Sequence, residues 1–329
     1  MINGTQLILN KVYDAVGFDA ISDDVLRNLV IARICQPGSK MATSAYLKAY
    51  FKEDLNHWRI YRYMDKLYNT QQETVQKISV THTMKVLGGQ VGLMFYDVTS
   101  LYFETPARDD LRQPGFSKDG KTSESQIILG LLVSAGGYPL SYAVFNGSQY
   151  EGRTMIPIID DFKQRFNLAD FVVVADSGLM SKTNVKLLND AGYRYIIGAR
   201  IRNESGAVRD WILSLDKVDG QLYERAYNKR ERLIVGYSAK RAAKEAHNRE
   251  QGVEGLRKRY ATGSLTKDKL NKHGYNKFLE ISKDVHVVIN QDKVEQDARW
   301  DGLKGYRTNT DLPVDTILEQ YHGLWVVER

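Results

Sequence analysis

Cysteine is nearly absent from this chain of 329 residues, which contains only Cys35. One cysteine cannot form an intrachain disulfide, and it cannot supply a zinc site built from several thiolates. No run approaches the ~18 consecutive apolar residues that a membrane-spanning helix needs. The N-terminus lacks the basic and then apolar segments of a signal peptide, and no Gly-rich loop ending in Lys-Ser/Thr is present to cradle a nucleotide. We therefore expect a cytoplasmic protein that does not use ATP.

Proline is also scarce, with six residues, and no Pro-rich linker, repeat or low-complexity tract divides the chain. The length nevertheless exceeds that of a usual single domain. The net charge of +6 is unevenly spread, because residues 221–280 hold 15 Lys/Arg against 7 Asp/Glu. A basic block of this kind suits a polyanion such as DNA. The alternative interpretation is a solvent-exposed helix with many charged side chains, which has the same composition.

Residues 1–90 have the pattern of a helical region. Asp23 is expected to cap one helix, Pro37-Gly38 to break it, and Ser39 to cap the next. A third helix is predicted from apolar residues at helical spacing. That stripe consists of Ile60, Tyr63, Met64 and Leu67.

The hydrophobic period changes to that of strands after residue 90, and the order of elements predicts a mixed α/β sheet. Three strands joined by hairpins are followed by helix, strand, helix and strand. The predicted strands are 91–99, 126–134, 138–145, 171–175 and 193–198. Residues 201–310 fit this plan poorly, since strand-like segments there flank a basic stretch from 238 to 260, and we expect an insertion. A helix bearing Glu328 is expected after it, in residues 311–329.

Three carboxylates stand out because of where this pattern places them. Asp97 and Asp176 each follow an apolar strand, and Glu328 follows on the last helix. A single Asp at such a position is also typical of a turn or a cap. Several carboxylates brought together would repel each other, which implies a bound cation or a raised pKa. Carboxylate oxygens bind hard divalent cations, and a pair of such ions can catalyse phosphodiester cleavage.

The segments around these acids resemble the DDE transposases of bacterial insertion sequences, in the group with a long strand-rich insertion before the catalytic Glu. The motifs are Phe95-Tyr96-Asp97-Val98-Thr99, Val174-Ala175-Asp176-Ser177-Gly178 and Tyr321-x-x-Leu324-Trp325-x-Val327-Glu328. The resemblance implies a ribonuclease-H-like core over 91–200, in which Asp97, Asp176 and Glu328 are catalytic and hold two Mg²⁺ ions, with Mn²⁺ as a substitute.

The resemblance also implies partners and contacts. The expected partner is double-stranded DNA, both the terminal inverted repeats of the element and the target, bound by a homodimer. The helical region 1–90 and the insertion are expected to recognise the element ends. Phosphate contacts near the cut are expected from Tyr321 and the basic insertion. The residues predicted to contact DNA are Tyr321, Arg241, Lys244, Arg257, Lys258 and Arg259.

The family signature around the Glu is not complete in this sequence. Leu324 stands where the signature has Arg, and the signature Lys would fall beyond Arg329, so we expect a truncated copy. Two alternatives to an active transposase therefore remain. One is a ribonuclease-H-like nuclease or resolvase that cuts without joining, and the other is an inactive remnant that only binds DNA.

Overall fold

The structure is a computed structural model, and its described backbone divides into two compact units. It describes residues 4–89, 91–105, 107–116, 120–121, 123–168, 170–179, 181–262, 274–281 and 287–328, without the side chains of 326 and 328. The first unit is Met1–Phe171 with Trp325–Arg329, and the second is Val172–Leu324. Among the helices described, none combines the length and apolar character needed to cross a membrane.

The first unit begins with the helical region that the sequence predicts. Its helices are α1 (Gly4–Val16), α2 (Asp24–Cys35), α3 (Lys40–Tyr46), α4 (His57–Lys66) and α5 (Gln72–Val86). Asp23 accepts a hydrogen bond from the Val25 N–H at 3.1 Å, and Ser39 accepts one from the Ala42 N–H at 3.2 Å. Both predicted caps are confirmed. Ile31, Leu47 and Ile60 lie in the core of this region.

An antiparallel sheet follows in the first unit. Its strands are β1 (Leu93–Phe103), β2 (Gln113–Pro114), β3 (Ser125–Ser134) and β4 (Pro139–Asn146), and α6 (Met155–Phe166) comes next. β3 pairs with β1, β2 and β4. The expectation that Asp97 ends its strand is wrong, because Asp97 pairs with Leu131 in mid-strand. The residues after it are mostly β-branched or aromatic, so they extend the pairing as far as Phe103.

The second unit is built on a sheet that mixes parallel and antiparallel pairs. Its elements are β5 (Val172–Ala175), α7 (Lys182–Asp190), β6 (Arg194–Ala199), α8 (Gly206–Leu213), β7 (Leu222–Ala226), β8 (Arg232–Tyr237), α9 (Ala239–Ala261), β9 (Leu279–Ile281), β10 (Val287–Ile289), α10 (Gln291–Ala298), β11 (Leu303–Thr308) and α11 (Val314–His322). β5 and β6 are parallel, and β6, β11, β8 and β7 then pair in that order, antiparallel. Apart from the two-residue strand β2, the chain has three strands and then helix, strand, helix and strand in the predicted order, and the predicted mixed α/β class is confirmed.

Strands from the range predicted as an insertion continue this sheet. β11 lies between β6 and β8, at a position where the sequence pattern predicts no strand. The basic stretch forms one long helix, α9, capped by the Ser238 hydroxyl. The predicted division into 1–90, 91–200, 201–310 and 311–329, with its roles, stays a prediction.

The last helix ends earlier than expected. α11 stops at His322, and the backbone continues as a 3-10 helix from Gly323 to Glu328. Gly323 and the β-branched pair Val326-Val327 disfavour the α-helix. The expected α-helix around Glu328 is therefore replaced by a tighter turn.

A buried carboxylate joins three parts of the second unit. Glu231, which precedes β8, is 2% exposed. It accepts hydrogen bonds from Tyr195 on β6 and Arg307 on β11, and at 2.9 Å from Asn189 on α7. Burial alone would raise the pKa of Glu231, but these donors outweigh it and lower the pKa. The group is thus a buried, paired charge that holds the sheet and α7 together.

Replacing Arg307 with Met should destabilise the protein by about 3–5 kcal/mol, because it leaves the Glu231 charge buried without its cation. The free energy of unfolding in urea measures this loss. Arg257→Met is the matched control, since Arg257 pairs with Glu254 at 3.8 Å on the exposed surface and exposed pairs contribute little. Equal stability of the two variants would contradict the assigned role of the buried pair.

Candidate active site

Asp176 directly follows β5, as the sequence predicts. Its backbone begins the 3-10 turn Ser177–Leu179, in which the Leu179 N–H donates to the Asp176 carbonyl at 3.2 Å. Arg200, which follows the parallel strand β6, donates to the Ser177 carbonyl at 2.9 Å and the Gly178 carbonyl at 3.0 Å. The turn is therefore clamped from the neighbouring strand end. The carboxyl ends of parallel strands are where open α/β sheets bind their ligands.

A buried tyrosine donates a hydrogen bond to the Asp176 carboxylate. The Tyr321 hydroxyl on α11 lies 2.8 Å from Asp176 Oδ1, and Tyr321 is 3% exposed. Burial and the negative charge of Asp176 both raise the pKa of Tyr321. The hydroxyl is thereby kept protonated, so it acts as the donor and Asp176 as the acceptor.

The Asp176 carboxylate is held in its ionised form. Desolvation opposes ionisation, but the Tyr321 hydroxyl, the Ser177 and Gly178 N–H groups and the charge of Lys304 together lower the pKa of Asp176. The residue as a whole remains exposed to solvent. An ionised, accessible carboxylate with a fixed orientation can bind a cation.

Gly198 on β6 leaves the space that the Tyr321 hydroxyl occupies. A Cβ atom at Gly198 would lie 2.6 Å from the Tyr321 hydroxyl oxygen and 2.9 Å from the Ser177 nitrogen. Real Cβ atoms do not approach this closely. The glycine is required by the contact between the tyrosine and the turn.

A lysine from β11 covers the same tyrosine. The Lys304 Nζ lies 4.5 Å from the centre of the Tyr321 ring and 5.5 Å from that of Tyr306. The two rings meet edge to face with centres 4.7 Å apart. Burial and the charge of Arg241 lower the pKa of Lys304, and Asp176 acts in the opposite direction. This places a cation beside the carboxylate without a direct ion pair.

Two cavities of the second unit meet at Lys304. The smaller, of about 340 Å³, is lined by Ser177, Arg200, Lys304 and Tyr321 among others. The larger, of about 720 Å³, runs along the start of α9 and includes Lys304 and Tyr306. Both are of the size that single ligands occupy.

The basic residues predicted to contact DNA lie in two groups, one at each end of α9. Arg241 lines both cavities and Lys244 lines the larger one. Arg257, Lys258 and Arg259 lie at the other end of the helix and line neither cavity. Arg241 is paired with Glu245 at 2.9 Å, whereas Arg259 donates to Asn276 at 3.2 Å. Contact of these side chains with DNA stays a prediction.

The other two predicted catalytic residues belong to the first unit. Asp97 on β1 is half-buried, and its Oδ1 accepts the Val98 N–H at 2.7 Å. The backbone of Glu328 ends the last 3-10 segment, and its side chain lies outside the described residues. Within the described part of the chain, no group of three or more His, Cys, Asp or Glu side chains could hold a metal ion. Convergence of Asp97, Asp176 and Glu328 therefore stays a prediction.

Sequence reasoning missed Lys304, Arg200 and Gly198. Lys304 lies in Leu303-Lys304-Gly305-Tyr306-Arg307-Thr308, where alternating side chains could have indicated a strand. Arg200 lies two residues after the end of the predicted strand at Gly198. No signal in the sequence indicates that Gly198 makes room for a tyrosine from a distant helix.

Most of this chain matches a known protein domain family. The domain model described as "Transposase DDE domain" matches residues 92–329. The solved structures that resemble the chain include a piggyBac transposase synaptic complex with hairpin DNA, at 8% identity and a TM-score of 0.41, over 79% of this chain and 43% of that one. A Mos1 transposase paired-end complex with the left transposon end has 9% identity and a TM-score of 0.23, over 52% of this chain and 57% of that one.

The chain thus spans less than two thirds of the length of either structure, and no curated protein matches it. The domain match alone covers well over half of the chain. It confirms the resemblance to DDE transposases that the motifs around the three acids indicate. The chain belongs to the family of transposases with a DDE domain.

Proposed function

We propose that this protein is an active DNA transposase that cuts the ends of its element and joins them to target DNA. The observation that supports this proposal most directly is the ionised carboxylate of Asp176 at the end of a strand. It lies in a domain that matches the transposase DDE family. Asp97 and Glu328 are proposed to complete the catalytic set. The DNA substrates are proposed to be the terminal inverted repeats and the target, brought together by a homodimer.

The residues available fit Mg²⁺ or Mn²⁺. Both ions take oxygen ligands, and the chemistry of the proposed set is entirely carboxylate. Asp176 fits this requirement because its pKa is lowered and it remains exposed to solvent. Such ions, if bound there, would supply activation of the attacking oxygen and charge stabilisation of the leaving 3′ oxygen. We propose that Asp97, Asp176 and Glu328 hold them.

The protein itself then orients ligands and holds phosphates. Tyr321 is proposed to fix the Asp176 carboxylate through its hydrogen bond of 2.8 Å and not to contact phosphate as the sequence leads one to expect, because the side chain is buried and its only O–H donates to Asp176. Arg241, Lys244, Arg257, Lys258 and Arg259 are proposed to bind DNA phosphates. Such contacts position the duplex without reading its sequence.

Asp97→Asn and Asp176→Asn should each reduce DNA cleavage by more than about a hundredfold. Loss of a metal ligand removes several kcal/mol of charge stabilisation, and 1.36 kcal/mol corresponds to a factor of ten. Cleavage and strand transfer are measured on a duplex carrying the sequences that flank the gene, with Mg²⁺ or Mn²⁺, on denaturing gels. Asp210→Asn, on the exposed surface of α8, is the control.

Three results of that experiment would count against the proposal. Cleavage without any joined product would identify a nuclease or resolvase. DNA binding without cleavage by the wild-type chain would identify an inactive remnant. Full activity of Asp176→Asn would remove the carboxylate from the mechanism.

Tyr321→Phe should weaken Mn²⁺ binding by about 10–100-fold, the usual effect of removing a group that orients a metal ligand. The ring and its packing on Tyr306 are retained, so unfolding in urea should change little. Mn²⁺ affinity is measured by electron paramagnetic resonance without DNA. Tyr223→Phe is the matched control, since its hydroxyl donates to the Asp216 carbonyl at 2.8 Å elsewhere. Unchanged affinity in Tyr321→Phe would exclude the orienting role.

Gly198→Ala, like Tyr321→Phe, should weaken Mn²⁺ binding, because the added methyl group displaces the Tyr321 hydroxyl or the Ser177 turn. Overpacking of this kind also costs about 1–3 kcal/mol of stability. Gly206→Ala is the control, because a Cβ there meets nothing within 4 Å. A Gly198→Ala protein with wild-type stability and affinity would show that the close contact has no consequence.

A further inference from the structure

Lys304 carries a positive charge that no ion pair neutralises. In the part of the chain that the structure describes, no carboxylate forms an ion pair with it, whereas the neighbouring Arg241 is paired with Glu245 at 2.9 Å. The faces of two tyrosine rings stabilise the ammonium group instead. Its Nζ lies 4.5 Å from the centre of the Tyr321 ring and 5.5 Å from that of Tyr306. Because the side chain is half-buried, solvent screens this charge less than that of a surface lysine.

A single phenol ring separates Lys304 from Asp176. The ammonium group lies over the Tyr321 ring, and the hydroxyl of the same ring donates to Asp176 Oδ1 at 2.8 Å. Tyr321 is buried, so the path between the two charges runs through an aromatic side chain, across which charges interact more strongly than through water. Burial is the largest influence on the pKa of either group, raising that of Asp176 and lowering that of Lys304. Beyond this, each charge shifts the pKa of the other group toward ionisation.

The charge of Lys304 has the opposite effect on a cation that Asp176 binds. A divalent ion at the carboxylate oxygens would face a like charge on the other side of the Tyr321 ring. The carboxylate does not need this lysine in order to ionise. The hydroxyl of Tyr321 and the two N–H groups of the following turn each lower the pKa of Asp176 more than Lys304 does. What Lys304 contributes to the binding of a cation is therefore mainly repulsion.

We infer that Lys304 weakens the binding of a divalent cation by Asp176 and so limits occupation of the proposed metal site by a free ion. The inference rests on the proposed function and deepens it, because it names a residue that regulates the same site. Tyr321 and Lys304 act in opposite directions. Tyr321 strengthens cation binding by orienting the carboxylate, and Lys304 weakens it through its charge without being a ligand.

The affinity for Mn²⁺, measured by electron paramagnetic resonance without DNA, tests this inference. Lys304→Met should bind Mn²⁺ about 3–10-fold more tightly than the wild type, because one like charge near the ion is removed. Its apolar chain still packs on the two rings. Lys304→Arg keeps the charge and should bind Mn²⁺ as the wild type does. Lys244→Met is the matched control, since Lys244 lines only the larger cavity, and its affinity should stay within about twofold of the wild type because the charge is more distant and screened.

Ionic strength separates repulsion from a change in packing. The Debye length falls from about 10 Å in 0.1 M salt to about 3 Å in 1 M salt. The ratio of the Mn²⁺ affinities of Lys304→Met and the wild type should therefore fall toward one as KCl is raised over this range. A ratio that does not depend on salt would mean that the substitution acts on the structure of the site, and the inference would be wrong.

The outcomes also separate this inference from the proposed function. If Asp176→Asn weakens Mn²⁺ binding but Lys304→Met binds no more tightly than the wild type, the inference is wrong and the proposed metal site stands. If the gain in Lys304→Met persists when Asp176→Asn is added, the cation lies elsewhere and both fail. Both also fail if neither the wild type nor Lys304→Met binds Mn²⁺. Unfolding in urea verifies that each variant is folded, and Lys304→Gln replaces Lys304→Met if the latter is not.

Discussion

The hydrogen bond from Tyr321 to Asp176 is the interaction on which the chemistry proposed for the second unit depends. A carboxylate at a strand end has no fixed orientation of its own, and partial burial disfavours its charged form. The Tyr321 hydroxyl, which its burial keeps protonated, forms one hydrogen bond of 2.8 Å to this carboxylate. That bond fixes the orientation of the carboxylate and stabilises its charged form. The contact exists only because residue 198 has no side chain. Three segments far apart in sequence thus define one carboxylate geometry.

Lys304 places a positive charge near Asp176 without forming an ion pair with it. A lysine in direct ion pair with Asp176 would compete with any cation for the same oxygens. Lys304 instead lies over the Tyr321 ring, where the negative face of the aromatic system stabilises it. Its charge lowers the pKa of Asp176 from a distance. The carboxylate therefore stays ionised and keeps its oxygens free of a direct ion pair with Lys304.

The sequence predicted the features that depend on local pattern. The caps Asp23 and Ser39 could be predicted because a cap is defined within a few residues. Asp176 could be placed because an apolar run ends immediately before it. The expected strand end at Asp97 is wrong because Thr99 and Ser100 only interrupt the apolar run, while pairing with β3 continues to Phe103. Where strand pairing decides the boundary, the pattern of one strand is insufficient.

Features that depend on distant contacts could not be predicted. Tyr321 was expected to contact phosphate because of its position in the signature, and only the tertiary structure brings its hydroxyl to Asp176. Lys304 was missed because β11 is short, carries two cations and contains a glycine, all of which weaken a strand signal. The strand forms because it is paired on both sides, with β6 and with β8.

The register of β11 ties the stability of the second unit to its chemistry. Successive side chains of a strand point to opposite faces, so a shift by one residue would exchange them. Lys304 and Tyr306 lie on one face, toward the cavities, and Arg307 lies on the other, where it binds Glu231. The buried carboxylate therefore does more than stabilise the sheet. By holding Arg307 it selects the register in which Lys304 reaches Tyr321, and a buried ion pair is well suited to this because any other register leaves a charge without its partner.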